Sequence, residues 1–438
     1  MTVSRCHALR PVLLWRVALF VVSLLVTTIP PASGGSPESP VTGAAPQRVD
    51  LVAVGDIMVH ETQLKTHYVA SGDTYLFDDD FRFIRPWLQS ADLAIGNLET
   101  VFGGTAKKYS GYPFFNTPDT LAEALARAGF DVLTVANNHA LDMGVEGAKR
   151  TVEVVRRNGM DVIGGRARPE DDPLVVREVR GVRVGLLGLT YETGSRGSAR
   201  TLNGTAMPPA ALSLLETFRP FRLAEDLPGI EGKVKRLRDK GAELVVAVLH
   251  WGEEYGKQPT AGQRLMVSHL ASAGVDLVFG HHAHVVQKVE VLPRPDGGRM
   301  LVAWSLGNFL SNQRYEFLQR RDTEDGLLMQ VTVERATRGT PWRFTRIGAV
   351  PLWVHRHQRA GTWRYHILPL ANALADEVAF GLDTADGRWR ARNSWEQTLK
   401  VLGPGSASVP IAPPLPEGVF DLLTNPVASG PASLTVVP

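Results

Sequence analysis

The stretch Val275-Asp276-Leu277-Val278-Phe279-Gly280-His281-His282-Ala283-His284 places three of the chain's 12 histidines in five residues, directly after an apolar run. The run predicts a short buried β-strand, and the ligands of open α/β sheets bind outside the carboxyl ends of the strands. Because side chains alternate along a strand, we expect His282 and His284 to point the same way and His281 to point away. Neutral imidazole is the commonest metal ligand in proteins. The stretch therefore predicts a metal site at a strand end, with a surface histidine cluster as the alternative.

Upstream of this stretch, predicted strands alternate with predicted helices. The strands are expected at 49–54, 92–95, 130–136, 161–164, 174–179, 182–189 and 244–249, and the helices at 81–88, 117–128, 145–157, 232–240 and 262–273. Such alternation indicates a mostly parallel sheet. Thr117 is the expected N-cap of the helix that Pro118 starts.

Downstream of the histidines the pattern changes to strands separated by turns. These strands are expected at 285–292, 299–304, 326–334 and 344–353. Consecutive strands joined by turns favour antiparallel pairing. We therefore predict an α/β fold in which two mixed sheets pack face to face with helices outside.

Composition excludes some functions and bounds the architecture. The 438 residues are 44% hydrophobic and 21% charged, as in an ordinary globular protein with a large core. The net charge of +2 gives no electrostatic argument for nucleic acid, so we expect no nucleic-acid partner. Neither a GxxxxGK[ST] nor a GxGxxG phosphate loop is present.

The amino-terminal segment has the layout of an export signal. Arg5, Arg10 and Arg16 flank an apolar run at 17–29, and small residues follow. We predict that residues 1–34 are an export signal or an uncleaved amino-terminal anchor. The body would then be secreted, periplasmic or anchored to the outer face of the cytoplasmic membrane. The only cysteine, Cys6, lies in this segment, which leaves the body without disulfides or thiolate ligands.

The rest of the chain divides by composition. Residues 35–47 are predicted to be a flexible linker, 48–370 the main domain, 371–402 a helical extension and 403–438 a Pro/Gly/Ser-rich tail. Within the domain, 195–220 is predicted to be a long irregular insertion that covers the site. Loops of that length in compact domains are usually functional or mobile.

Five predicted strand ends carry side chains suited to metals or to proton transfer. They are Asp56 with His60, Asn97 with Glu99, Asn138 with His139, His250, and His282 with His284. This mixed set of oxygen and nitrogen donors suits Mn, Fe, Zn or Co, and it exceeds the needs of one tetrahedral ion. It fits two ions bridged by a carboxylate.

Each of these residues also has a structural explanation. A Gly-Asp or Asn-Asn pair after a strand is commonly a turn, and His250 alone could be a core histidine. The joint occurrence at five strand ends is what favours a site. Five further histidines lack such partners and are expected to be surface or packing residues; they are His67, His269, His355, His357 and His366.

Six motifs in order resemble the CapA family of bacterial capsule and poly-γ-glutamate synthesis proteins. They are Gly-Asp-Ile-Met at 55–58, Asn-Leu-Glu at 97–99, Asn-Asn-His-Ala-Leu-Asp-x-Gly at 137–144, His-Trp-Gly-x-Glu-Tyr at 250–255, Gly-His-His-x-His-Val-x-Gln at 280–287 and Ser-Leu-Gly-Asn-Phe at 305–309. The resemblance covers 48–335 and implies a four-layer α/β/β/α sandwich related to calcineurin-like metallophosphoesterases. Their broader pattern begins Asp-x-His, whereas Met58 stands here in the third position. His60 is a candidate to take the place of the missing histidine.

The resemblance also implies roles for the predicted site residues. Asp56, Glu99 and His284 would hold one divalent ion, and Glu99, Asn138, His250 and His282 the other. His139, oriented by Asp142, would be the general acid for the leaving group. Asn97, Glu253 and Gln287 are candidate supporting residues.

Three functions remain open from the sequence. The first is a hydrolase or transferase acting on a phosphoester or an anionic cell-envelope polymer through metal-activated water. The second is a non-catalytic accessory subunit that works with a membrane synthase. The third is cleavage of a γ-glutamyl amide by the same two-metal chemistry.

Overall fold

The computed structural model describes residues 46–194 and 200–403. The predicted export signal at 1–34, nearly all of the predicted linker and nearly all of the predicted tail lie outside these residues. Within the described part, no helix has both the length and the apolar character needed to cross a bilayer.

The described residues contain 19 strands. In chain order they are β1 (Gln47–Ile57), β2 (Tyr68–Val69), β3 (Thr74–Tyr75), β4 (Leu93–Leu98), β5 (Val132–Thr134), β6 (Asp161–Ile163), β7 (Val175–Val179), β8 (Val182–Tyr191), β9 (Thr201–Leu202), β10 (Thr205–Ala206), β11 (Thr217–Phe218), β12 (Leu244–His250), β13 (Leu277–His281), β14 (Val289–Pro293), β15 (Arg299–Ala303), β16 (Asn308–Leu310), β17 (Asp325–Arg335), β18 (Arg343–Arg359) and β19 (Thr362–Pro369).

Ten α-helices accompany the strands in the described residues. They are α1 (Glu61–His67), α2 (Arg85–Ser90), α3 (Thr120–Ala128), α4 (Gly144–Arg157), α5 (Pro209–Leu214), α6 (Leu223–Asp239), α7 (Ala261–Ala273), α8 (Tyr315–Leu318), α9 (Leu370–Ala375) and α10 (Ala385–Leu402).

Most of the strands form two large mixed sheets. The first has the order β19-β18-β17-β1-β4-β5-β6, with β16 also paired to β1. Its β1, β4, β5 and β6 are parallel, and β17 to β19 add antiparallel strands. The second sheet has the order β11-β8-β12-β13-β15-β14, with β7 on β8 and a parallel centre. The chain therefore follows the predicted change from parallel to antiparallel pairing.

Alternation along the central strands produces four layers. In β12, Leu244, Val246 and Val248 pack into the core between the two sheets. The intervening Val245 and Ala247 pack outward against α6 and α7. Helices α2 to α4 cover the outer face of the first sheet in the same manner. Because both faces of these strands are covered, their sequences are continuous apolar runs. The α/β/β/α sandwich expected from the resemblance is confirmed.

A bulge in β1 turns the first site residue toward the layer between the sheets. Ala53 pairs with Ile95 and Asp56 pairs with Asn97, so β1 advances three residues while β4 advances two. The extra residue reverses the alternation from there on. Without it, Asp56 would point to the outer face of the sheet.

His282 and His284 lie close together for a different reason than the strand alternation predicted from the sequence. Strand β13 ends at His281, and His282 and His284 lie in the following bend with φ angles of 89° and 55°. The prediction that strand alternation points them the same way was therefore wrong. The next strand begins at Val289 rather than at 285.

Two further local predictions were wrong. Helix α3 begins at Thr120 with Asp119 as N-cap, and the Thr117 hydroxyl instead bonds the Thr100 hydroxyl. The insertion is not irregular in its described part, because 200–220 contains the β9–β10 ribbon, α5 and β11. Residues 195–199 lie outside the described residues.

Substitution of Gly280 should destabilise the fold. A Cβ there would lie 2.0 Å from the Trp304 carbonyl oxygen, so the neighbouring strand must move. We expect Gly280→Ala to lower the free energy of unfolding by about 1–3 kcal/mol in urea titrations. Gly229, in helix α6 with no atom near its Cβ position, is the matched control. Gly229→Ala should raise the free energy of unfolding by roughly 0.5–1 kcal/mol. Equal effects of the two substitutions would contradict this explanation.

Glu243 should make stability sensitive to acid. Its carboxylate accepts hydrogen bonds from Arg338, the Arg183 amide and Arg335, which lower its pKa to about 2 although burial opposes them. Since the folded pKa is below the ordinary 4.5, this stabilisation is present above pH 4.5 and lost as the pH falls toward 2.

Glu243→Gln should therefore lower the unfolding free energy by roughly 1–3 kcal/mol at neutral pH, and the difference should shrink in that acid window. Denaturant titrations across the window measure it. The exposed Glu146 provides the control, because Glu146→Gln should change stability by less than about 0.5 kcal/mol. A pH-independent loss in Glu243→Gln would show that the pKa shift is not its cause.

Candidate metal centre

The polar ends of both sheets meet at one edge of the layer between them. Asp56 is the penultimate residue of β1, Asn97 lies in β4, and His250 ends β12 on the face that continues the core positions of that strand. All three side chains are buried. The packed core between the sheets therefore fixes the distance between donors that come from different sheets.

Asp56 joins the two sheets through the histidine bend. Its Oδ2 atom lies 3.0 Å from His284 Nδ1 and accepts a hydrogen bond of 3.3 Å from the His282 amide. Its Oδ1 atom accepts a 2.7 Å bond from the Asn97 amide group. The carboxylate therefore holds both the backbone and the ring of the bend in place. A non-glycine residue with positive φ costs of order 1–3 kcal/mol, and this bend contains two.

Glu99 lies where the ligands of both sheets converge. Its Oε1 atom is 3.5 Å from His250 Nε2 and 3.7 Å from His284 Nε2. The His250 Nε2 atom is also 2.8 Å from Asn138 Oδ1. The rings of His250 and His282 lie 4.8 Å apart, centroid to centroid.

Among the described residues, two groups have ligand atoms close enough to hold a metal ion. One is Glu99, His282 and His284, and the other is Asp56, Glu99 and His250. Glu99 belongs to both, which is the position predicted for a bridging carboxylate. The histidines divide differently from the predicted assignment, because His282 and His284 fall in the same group.

Burial sets the protonation of the donors. It lowers the pKa of His282 to about 3, helped by the nearby His284, and it lowers the pKa of His250 well below its ordinary value. These imidazoles are therefore neutral and present lone pairs. Burial followed by the neighbouring Asp56 charge raises the pKa of Glu99 well above its usual range. Burial opposes but does not reverse the effect of the His284 hydrogen bond, which keeps the pKa of Asp56 low.

The unsatisfied atoms of this cluster fit a cation. Glu99 Oε1 and His282 Nδ1 are buried and have no hydrogen-bond partner among the described residues. A buried polar atom without a partner costs about 1–3 kcal/mol, and a charged one costs more. A divalent ion would satisfy such oxygen and nitrogen atoms directly. The donor types match Mn, Fe or Zn rather than Ca.

His139 and Asp142 form a separate pair beside the ligand cluster. Their Nδ1 and Oδ2 atoms are 2.8 Å apart, and Asp142 also accepts a 2.7 Å bond from the Phe115 amide. Burial raises the pKa of Asp142, although its bond to His139 opposes the shift. The Phe115 ring meets the His139 ring edge to face at 4.7 Å. With Nδ1 engaged, His139 has Nε2 free to exchange a proton with a substrate.

The remaining predicted residues take supporting or outer positions. His60 caps helix α1, and its Nδ1 atom accepts a bond from the Asn312 amide; it lines the cleft but belongs to neither ligand group. The Gln287 side chain donates to the Gly256 carbonyl and so holds the loop after His250. Glu253 is exposed and lines a neighbouring cavity, whereas Glu254 lines the cleft. His281 bonds the Val54 carbonyl, which is a structural role.

Two residues of the site were not identified as candidates from the sequence. Asn308 Oδ1 lies 3.1 Å from His284 Nδ1, and its amide group donates to the Thr323 carbonyl. The Tyr191 ring lies 4.5 Å from the His282 ring. Asn308 falls within the Ser-Leu-Gly-Asn-Phe motif, which was the available signal. Tyr191 has no motif and is brought to the site by the pairing of β8 with β12.

The site opens into a cleft of about 380 Å³. His139 and His284 line it, and Tyr112, Phe115 and Tyr255 contribute aromatic walls. The cleft has the mixture of apolar walls and a few convergent polar groups that is typical of small-molecule sites.

Glu99→Gln should abolish metal binding without unfolding the protein. The substitution replaces the shared carboxylate ligand with an uncharged side chain of the same shape. It also removes the cost of burying two neighbouring carboxylates. Addition of Mn²⁺ should raise the Tm of the wild type, since a ligand at 100 times its Kd adds about 2.7 kcal/mol to the unfolding free energy. Glu99→Gln should lose this rise and retain no metal in elemental analysis.

Asp276 is the matched control, because it is buried at the opposite end of β13 and pairs with Arg238 and Arg294. Asp276→Asn should lower the starting Tm yet keep the metal-induced rise. A wild type that shows neither bound metal nor a shift in Tm would contradict the assignment of this site.

Comparison with known proteins identifies relatives of the chain. A family model described as bacterial capsule synthesis protein PGA_cap matches residues 50–313. The capsule biosynthesis protein CapA of Bacillus anthracis is 30% identical over 299 residues, covering 67% of this chain and 66% of that protein. The PGA biosynthesis protein CapA of Bacillus subtilis is 28% identical over 306 residues, covering 69% and 70%. The match thus spans about two thirds of the length of these relatives.

A solved structure is also similar in part. The sulfate thiohydrolase SoxB of Thermus thermophilus, in complex with glycerol, is 12% identical and aligns with a TM-score of 0.35. The alignment covers 83% of this chain and 61% of that one.

Proposed function

Because the chain belongs to the PGA_cap family of bacterial capsule synthesis proteins, we propose that it is a metal-dependent hydrolase of an envelope polymer or its phosphoester precursor. The observation that carries the proposal is the buried Glu99 Oε1 atom, which lies without a hydrogen-bond partner between His250 and His284. An accessory subunit without catalysis has no need for such a cluster of buried metal-ligand atoms that lack hydrogen-bond partners.

The residues that would hold the ions are Asp56, Glu99, Asn138, His250, His282 and His284. When bound, divalent ions of this kind acidify water and offset negative charge on a substrate. The buried neutral histidines and the rigid strand ends keep the donors in place. Asp56 and Asn97 position the donors around Glu99 through their hydrogen bonds.

His139 is the proposed general acid of the reaction. Asp142 accepts from its Nδ1 atom and fixes the ring, and because His139 lines the cleft, Nε2 is the nitrogen available to a substrate. Hydrolysis breaks the bond to the leaving oxygen, and His139 supplies the proton that this oxygen needs. Water supplies the group added to the other product and returns a proton to the imidazole, so the reaction is balanced without a covalent intermediate.

His139→Gln should slow hydrolysis according to the leaving group. We expect kcat to fall by roughly 10²–10⁴-fold for an alkyl phosphodiester, whose leaving oxygen needs the proton. The loss should be much smaller for a nitrophenyl ester, whose leaving group departs as an anion. Steady-state rates with both substrates, at equal metal content, give the comparison.

His269 serves as the control for this substitution. It is half-exposed, and its Nδ1 atom bonds the Glu231 carboxylate between helices α7 and α6. His269→Gln should leave both rates unchanged. Equal losses with the two esters in His139→Gln would contradict the role of general acid. Polymer production in cells that is unaffected by His139→Ala, yet abolished by removal of residues 1–34, would favour the accessory function.

Export of the chain is part of the proposal. An envelope polymer is reached only outside the cytoplasm, and the basic and apolar layout of residues 1–34 supports delivery there.

A further inference from the structure

A second cavity lies on the surface next to the cleft. It measures about 410 Å³, and its walls include Lys65, Lys107, Lys108, Tyr68, Tyr75 and Tyr109, which we call the lysine–tyrosine groove. Among the described residues, Glu61 is the only acidic residue that lines it, so this lining carries three positive charges against one negative charge. The cleft, by contrast, is lined by the two carboxylates Glu61 and Glu254, and no lysine or arginine of residues 46–194 and 200–403 lines it.

The lysines of the groove are available to a ligand. Lys65 makes a 3.3 Å ion pair with Glu61 on the surface, and its side chain is 74% exposed. Such exposed pairs contribute little stability and are readily exchanged. Lys108 is exposed. Lys107 is also exposed, and its ammonium group donates to the Met143 carbonyl.

The tyrosines form a continuous aromatic wall. The rings of Tyr68 and Tyr75 lie 5.3 Å apart, and those of Tyr75 and Tyr109 lie 5.4 Å apart. Rings of this kind offer apolar surface to methylene groups and lose little conformational entropy on contact. The groove therefore combines positive charge with an apolar floor, which suits an anionic chain that has methylene segments between its charges.

One ordered loop connects the groove with the cleft. Lys107, Lys108 and Tyr109 line the groove, and Tyr112 and Phe115 of the same loop line the cleft. The buried Asn116 side chain accepts from the Gly103 amide and donates to the carbonyls of Gly104, Lys107 and Lys108. The Phe115 amide then bonds Asp142, the partner of His139. Glu61 borders both cavities, so a single chain can occupy them in succession.

We propose that the lysine–tyrosine groove binds a carboxylate-bearing polymer beside the bond held in the cleft. This extends the proposed function, because it takes the cleft as the reaction site and adds a charge-selective site for the adjoining polymer. The groove supplies the cations that the acidic cleft lining lacks. Its lysines recognise separated carboxylates, and its tyrosines contact the methylene segments between them.

The test is binding of a short fluorescently labelled polyglutamate by full-length protein. Lys65→Glu/Lys108→Glu replaces two positive charges of the groove and spares Lys107, whose bond supports the loop. Fluorescence anisotropy should show affinity falling roughly tenfold or more, and wild-type binding should weaken with added salt. Lys235→Glu/Lys400→Glu is the control, since Lys235 has the same i,i+4 pairing and is 75% exposed. It should bind as the wild type does.

Several results would contradict polymer binding by the groove. Unchanged affinity in Lys65→Glu/Lys108→Glu, or an equal loss in the control, would show that binding occurs elsewhere or follows net charge alone. Wild-type binding of duplex DNA as tight as that of polyglutamate would indicate a general polyanion surface. Circular dichroism and Tm check that both variants are folded.

These results are separable from the proposed function. Anisotropy does not require turnover, whereas metal content and hydrolysis of small esters test the cleft alone. Groove-dependent polymer binding without hydrolysis would support the groove as a binding site and contradict the proposed hydrolase function. Hydrolysis by the wild type, together with unchanged polymer binding in Lys65→Glu/Lys108→Glu, would support the hydrolase function and contradict the groove as a binding site.

Discussion

The structure depends on the burial of the Glu99 carboxylate beside that of Asp56. Both side chains are inaccessible to solvent, and two adjacent buried carboxylates are costly unless cations or hydrogen bonds compensate them. Asp56 is compensated by Asn97, His284 and the His282 amide. Glu99 retains an unsatisfied oxygen. The β1 bulge and the strained bend bring donors to this point.

The layers could be predicted from the sequence, whereas the positions of individual side chains could not. Apolar runs that alternate with helices determine a sandwich, because strands covered on both faces must be apolar throughout. Strand alternation did not place His282 and His284, since β13 ends before them and positive φ angles redirect both. The bulge that turns Asp56 inward also leaves no mark in the apolar pattern. Asn308 approaches His284 only because β16 pairs with β1.

The substrate region differs in character from the ligand cluster that it borders. The cluster is fixed by two sheets and their shared core, whereas the groove is built largely from α1 and the loop held by Asn116. The cleft shares residues of α1 and of that loop and is completed by other segments, such as 254–255 and 312–318. Rigid strand ends suit the ligation of ions, and a loop on that frame permits a different substrate without moving the ligands. The bond between the Phe115 amide and Asp142 joins the two regions beside His139, the proposed general acid.

The central claim is that Glu99 is shared by two metal ions. Crystals of the protein lacking residues 1–34, grown with Mn²⁺ and measured by anomalous diffraction at the manganese edge, test it most directly. The account predicts two anomalous peaks, both within ligand distance of Glu99, one reached by His282 and His284 and the other by Asp56 and His250. No peak at this cluster, or a single peak that Glu99 does not contact, would contradict the account.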